Sequence, residues 1–191
     1  NSYGKIIQLT LMQLLINAPL LKGNVCELGC WRGLSSVQMA TYLKKSGFKN
    51  NFYIFDSFEG LSKFKDVDKV DLNKNYEEES LSFSWDFDKV KQVLKEFDFI
   101  VFEKGWIPEK FHTVSEMKFS FVHIDVDLYE PIKDSLHFFY PRLCQNGIIV
   151  LDDYGCPSFP GAKKAVDEYL EKKSDHFFIE LPSGSAFILK R

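Results

Sequence analysis

The sequence predicts an α/β fold: a doubly wound, mostly parallel seven-stranded sheet whose last strand runs antiparallel. Three observations predict it. Short apolar runs rich in β-branched and aromatic residues alternate with helical patterns along the 191 residues, which is the order of a parallel sheet with crossover helices. Only "PSG" (182–184) separates the last two runs, too short for a crossover and right for a hairpin. A glycine turn, "ELGCWRG" (27–33), follows the first run, and ligands of open α/β sheets sit outside the carboxyl ends of such strands.

The elements follow in order. The stretch "KIIQLTLMQLLINAPLL" predicts an amphipathic helix over 5–18, interrupted by Lys5, Gln8, Gln13 and Asn17 and closed by Pro19. That pattern suits a cover on the domain better than a signal peptide or a membrane span of about 20 apolar residues. Residues 1–22 are therefore read as a helical partial cap, within one domain spanning 1–191. Strands are expected at 24–28, 51–56, 97–103, 119–125, 147–153, 176–181 and 185–190. Helical patterns occupy 35–47, closing at Gly47, then 131–143, ahead of a turn at "QNG" (145–147), and 161–173. The polar stretch 62–80 reads as a mobile surface loop, and 62–86 as a whole as a lid.

Composition narrows the function. A chain that is 45% hydrophobic and 16% aromatic fills a core and is not disordered. A formal charge of -3 with scattered Lys and Arg argues against nucleic-acid binding. The four cysteines form no C-x-x-C pair, so structural zinc is disfavoured and a reducing, cytoplasmic setting is expected.

Two clusters of residues invite chemistry. In the glycine turn, Gly29 and Gly33 follow Glu27 with G-x-x-x-G spacing. That is not the dinucleotide fingerprint, and an acidic residue there repels phosphate while suiting a cationic ligand. A plain strand-to-helix bend explains the glycines equally well. Asp56, ending the second strand in "FDSFEG", is placed to accept both hydroxyls of a ribose or to cap a helix. The second cluster is acidic: "VHIDVDLYEP" (122–131) and "LDDY" (151–154) end the fourth and fifth runs. Alternation puts His123, Asp125 and Asp127 on one side if the strand continues that far. Three carboxylates within ~4 Å repel by several kcal/mol at an effective dielectric of ~20. Either protons or a hard cation such as magnesium or manganese relieves them. Each pair taken alone is also ordinary turn chemistry.

Taken in order, "E-x-G-x-x-x-G", "FDSFEG", "KGW", "D-x-D-x-Y" and "LDDY" resemble the macrocin O-methyltransferase family of sugar methyltransferases, over about 25–169. The resemblance implies a Rossmann-like class I methyltransferase fold with its antiparallel last strand. It implies S-adenosylmethionine as methyl donor and a magnesium ion (or manganese) that binds vicinal sugar hydroxyls. It places Glu27, Gly29, Trp31 and Gly33, with Ser35 at the helix start, along the methionine part of the donor. Asp56 would hold the ribose, Ser57 and Phe58 would flank the adenine, Asp86 would add a contact, and Gly105 and Trp106 would close over the adenosine. Asp125, Asp152 and Asp153 become the metal ligands, with Asp127 behind them or starting the next helix.

The family's loop histidine has no counterpart, because no histidine precedes His112 and the matching region reads "LNKNY" (72–76). His123 and Asp127 are the remaining candidates for the base. The implied activity is a magnesium-dependent O-methyl transfer to a sugar hydroxyl, on a nucleotide-linked sugar, a glycan or a glycosylated metabolite. Catechol-type or N-methyl transfer, a D-x-D glycosyltransferase and a noncatalytic cofactor-binding protein are the alternatives. The glycosyltransferase reading leaves Glu27 and its turn unexplained. The expected partner is a small-molecule or glycan sugar, without nucleic acid or a membrane span, and a homo-oligomer is compatible with the sequence.

Overall fold

A computed structural model describes residues 2–71 and 73–191. Seven strands form one sheet: β1 (Asn24–Leu28), β2 (Phe52–Asp56), β3 (Ile100–Lys104), β4 (Phe119–Ile124), β5 (Leu143–Leu151), β6 (His176–Glu180) and β7 (Ala186–Lys190). Their spatial order is β3-β2-β1-β4-β5-β7-β6. All neighbours pair parallel except β7, which is antiparallel to both β5 and β6. The expected architecture is the one found. β1 has β2 on one side and β4 on the other, so the strand order reverses there and a crevice opens at the strand ends.

Helices cover both faces. One face carries α1 (Ser2–Asn17), α2 (Leu34–Lys45) and α4 (Phe87–Leu94), which pack Leu15, Leu43 and Leu94 against Val25, Ile54 and Phe121. The other carries α5 (Tyr129–Phe139) and α6 (Pro160–Leu170), which seal Leu136 and Val166 over Val122, Ile149 and Ile188. Because β4 is covered on both faces, all six of its residues are buried and its apolar run is nearly continuous. Each such Phe or Leu contributes roughly 1.5–3 kcal/mol. Among the described residues, no helix is long and apolar enough to cross a membrane.

Helix ends follow local chemistry. α2 stops at Lys45 because Gly47 takes φ +72°, letting the Phe48 amide donate to the Leu43 carbonyl, and so the helix ends two residues before the glycine. The helices expected at 131–143 and 161–173 run instead over Tyr129–Phe139 and Pro160–Leu170, and three further departures bear on the architecture. β3 begins at Ile100 rather than 97, since Phe97 and Phe99 form an edge-on pair in the preceding turn. β5 begins at Leu143, so "QNG" is not a turn between helix and strand. It lies inside the strand, where Asn146 adopts φ +62° and the register against β4 shifts between Phe119 and Phe121.

The third departure is the polar stretch. Residues 62–86 hold a 3-10 turn (Asp66–Asp68) and the helix α3 (Tyr76–Ser82). Asp68 is 1% exposed and accepts the amides of Lys65 and Tyr129, pinning this segment to the start of α5. Gly161, at the start of α6, leaves room for it: a Cβ there would lie 1.9 Å from Asp68 Oδ1. The expectation of a mobile loop overlooked this buried acid. Asn1, the first residue of the expected cap, and Leu72, the first of "LNKNY", lie outside the described residues.

Candidate active site

At the ends of β1, β2 and β4 a cavity of about 240 Å³ opens. The residues after β1 turn sharply, with Gly29 at φ +80°, Trp31 at +44° and Gly33 at +80°. Gly29 is required by close approach, since a Cβ would stand 1.8 Å from the Asp125 carbonyl oxygen. The turn is tied down by Asp56. Its Oδ2 accepts the amides of Cys30 (2.8 Å) and Trp31 (2.9 Å), and its Oδ1 accepts that of Phe58 (2.7 Å). A carboxylate offers about four acceptor positions, so Asp56 organises the turn and keeps limited capacity for a ligand.

Of the residues expected around a cofactor, Gly29, Trp31, Asp56, Ser57, Gly105 and Trp106 line the cavity, and Asp125 and Asp127 join them. Trp31 and Trp106 are 41% and 38% exposed, large indoles at a mouth rather than in the core. The Arg32 guanidinium lies between the Trp31 and Trp85 rings, 4.1 and 4.2 Å from their centroids.

Other expected contacts are placed elsewhere. Glu27 is fully buried, taking a hydrogen bond from the Ser36 hydroxyl and lying 3.1 Å from His123 Nδ1. Phe58 packs into the core against Phe87 at 4.8 Å. Asp86 caps α4, accepting the amides of Asp88 and Lys89. Gly33 and Ser35 are not among the cavity's lining residues. Phe83, Leu61, Ile107 and Pro131, unremarked in the sequence, are. Their signal was proximity to motifs ("GL", "WIP", "YEP"), but apolar residues there look the same as core residues.

The carboxylates gather as a group at the cavity floor. Oxygens of Asp125, Asp127 and Asp153 all lie within 4.8 Å of one another. The strand does not continue to bring Asp127 there, because β4 ends at Ile124. Instead Asp127 takes φ +60° and its amide donates to Asp153 Oδ2 at 3.0 Å. Asp152, expected as a ligand, extends toward His123, with Oδ1 3.7 Å from Nε2, beyond hydrogen-bond reach.

Burial, then the charges of Asp152 and Asp153, push Asp125 well above the usual carboxylate range. Burial and the charges of Asp153 and Asp125 do the same to Asp127. Asp153 rises to about 7 through burial and Asp152, against the Asp127 amide. An all-oxygen donor set suits a hard divalent cation in kind, and a spacing of up to 4.8 Å would have to close toward about 3.0–4.2 Å, that of an octahedron with bonds of about 2.1 Å.

His123 is enclosed on this strand at 1% exposure, between Glu27 and Asp152. Burial pulls its pKa down, but Asp152, Glu27 and Asp125 together hold it well above the ordinary imidazole value. Enclosed between two acids and absent from the cavity lining, it is poorly placed to reach a substrate hydroxyl.

Comparison with known proteins decides the kinship. The macrocin-O-methyltransferase (TylF) family model matches residues 6–178. The chain belongs to the macrocin-O-methyltransferase family. Among curated members, an 8-demethyl-8-(2,3-dimethoxy-alpha-L-rhamnosyl)-tetracenomycin-C 4'-O-methyltransferase of Streptomyces olivaceus is 28% identical over 77% of this chain and 58% of its own length. A mycinamicin III 3''-O-methyltransferase of Micromonospora griseorubida is 27% identical over 78% of this chain and 61% of its own. The chain thus spans about three fifths of these macrocin-O-methyltransferase relatives. The solved structure of the O-methyltransferase NovP superposes with a TM-score of 0.76 at 23% identity, covering 96% of this chain and 78% of its own, which establishes the shared fold.

Proposed function

We propose that this domain transfers a methyl group from S-adenosylmethionine to a hydroxyl of a sugar, with a divalent cation held by Asp125, Asp127 and Asp153. The observation that carries the reading is that two acids of this cluster, Asp125 and Asp127, and the glycine turn line one cavity at the sheet's switch point. Family membership and the sugar-modifying names of the curated relatives support the reaction class and the acceptor class.

In this reading the chain's own groups do the following. The Gly29 turn and the remaining acceptor capacity of Asp56 hold the nucleoside end of the donor. Trp31, Trp106, Phe83 and Leu61 exclude water from the reacting atoms. Residues 62–86, anchored through Asp68, act as the cover over that side. His123, buried on β4, holds Glu27 through Nδ1 and so braces the strand behind the acidic cluster. When bound, the cation supplies positive charge beside the acceptor oxygen, easing loss of a hydroxyl proton. Holding both reactants in line supplies much of the remaining acceleration.

The test is calorimetry with S-adenosylhomocysteine, followed by mass analysis of a panel of sugar acceptors with magnesium or EDTA. Binding of the product nucleoside, with a gain of one methyl mass that EDTA suppresses, supports the reading. Absence of nucleoside binding rejects it.

A further inference from the structure

β6 is the outer edge of the sheet, paired only with β7. Proteins usually blunt such an edge with a lysine, a proline or a bulge. None interrupts "HFFIE", and the pairing with β7 is regular over all five residues. Two of its large apolar side chains face solvent: Phe177 is 48% exposed and Ile179 is 47% exposed. The Arg191 guanidinium rests 3.6 Å over the Phe177 ring and still leaves it half uncovered.

The ladder shows which backbone groups are free. The Leu181 amide donates to Ser185, and the Arg191 amide donates to Asp175. Hydrogen-bonded pairs in an antiparallel ladder recur every second residue. So the odd-numbered residues of β6 point their amides and carbonyls at β7. Those of His176, Phe178 and Glu180 point outward.

We infer that β6 pairs antiparallel with β6 of a second copy, about a two-fold axis through Phe178, joining two seven-stranded sheets edge to edge. This register satisfies all the outward groups at once, because Phe178 faces Phe178 and each His176 faces a Glu180. It puts an imidazole opposite a carboxylate at both ends of the ladder. Phe177 of one copy meets Ile179 of the other in the closer, non-hydrogen-bonded pairs, an aromatic against a β-branched side chain. A register centred on Glu180 would set two carboxylates face to face, and one centred on His176 would leave Glu180 unpaired. Pro182 has no amide to donate, so the ladder ends at Glu180. The strand is complementary to itself, the requirement of an isologous interface.

The test combines mass in solution with cross-linking. By sedimentation, the wild-type chain forms a dimer that Ile179→Lys weakens at least about tenfold. Leu9→Lys, on the equally exposed outer face of α1, leaves the dimer intact. In a background with Cys144 and Cys156 replaced by serine, Phe177→Cys and Ile179→Cys proteins are oxidised separately and as a mixture. A disulfide that joins 177 to 179 in the mixture, and does not form in either variant alone, fixes the register. A wild-type monomer at about 1 mM, a dimer broken by Leu9→Lys but not by Ile179→Lys, or homodimer disulfides in the separate variants would each overturn the inference.

Discussion

Asp56 and the group of Asp125, Asp127 and Asp153 sit at ends of the same sheet, around a cavity that Asp56, Asp125 and Asp127 line, and are treated in opposite ways. Asp56 receives three main-chain amides. The three acids receive one amide between them, from Asp127 to Asp153, and otherwise face one another. The first acid is matched by the fold and shapes the turn around it. The second group sets its carboxylates against one another, so protons, as the raised pKa values of all three imply, or a bound cation must relieve it. Asp68 belongs with Asp56: it is buried and answered by two amides. Carboxylates answered by amides build the scaffold, and carboxylates answered by carboxylates are the ones left to take a proton or a cation.

The largest effect expected is at the residue that joins the two regions. Gly29→Ala forces a Cβ onto the Asp125 carbonyl at 1.8 Å and should cost about 4 kcal/mol or more, read by chemical denaturation, with nucleoside binding lost. Asp56→Ala leaves three amides without an acceptor and should cost about 3 kcal/mol, again with nucleoside binding lost in calorimetry. Asp68→Ala removes two such bonds, so a loss of about 2 kcal/mol is expected, together with faster proteolysis of residues 62–86. Asp127→Asn should go the other way. It removes one of the clustered charges and places Asn in a left-handed conformation that Asn tolerates well, so metal-free stability should rise by about 1 kcal/mol. The rise in melting temperature on adding magnesium should disappear. A destabilised Asp127→Asn protein would erase the contrast between the two regions.

The sequence made the fold legible because its evidence is local. Alternating runs, helix-ending glycines and the three-residue "PSG" hairpin each act over a few residues, and the mostly parallel sheet with its antiparallel last strand is what such a pattern implies. It exposed the acids too, as pairs at strand ends. It did not show which acid turns toward which. That depends on the left-handed turn at Asp127 and on the direction Asp152 takes, toward His123, both consequences of three-dimensional packing. Glu27 shows the same limit. Its place in the glycine motif suggested a cofactor contact, whereas Ser36 and His123 occupy it in the interior. Asp68 was missed because a buried acid inside a polar stretch looks like its solvated neighbours until α5 presents an amide to it.

Magnesium titration by calorimetry, on the wild type, Asp127→Asn and Asp152→Asn side by side, tests the central claim most directly. One site is expected in the wild type, weakened at least about tenfold in Asp127→Asn and retained in Asp152→Asn. A wild-type protein that takes up neither magnesium nor manganese, or one whose site vanishes with Asp152→Asn and survives Asp127→Asn, would contradict it.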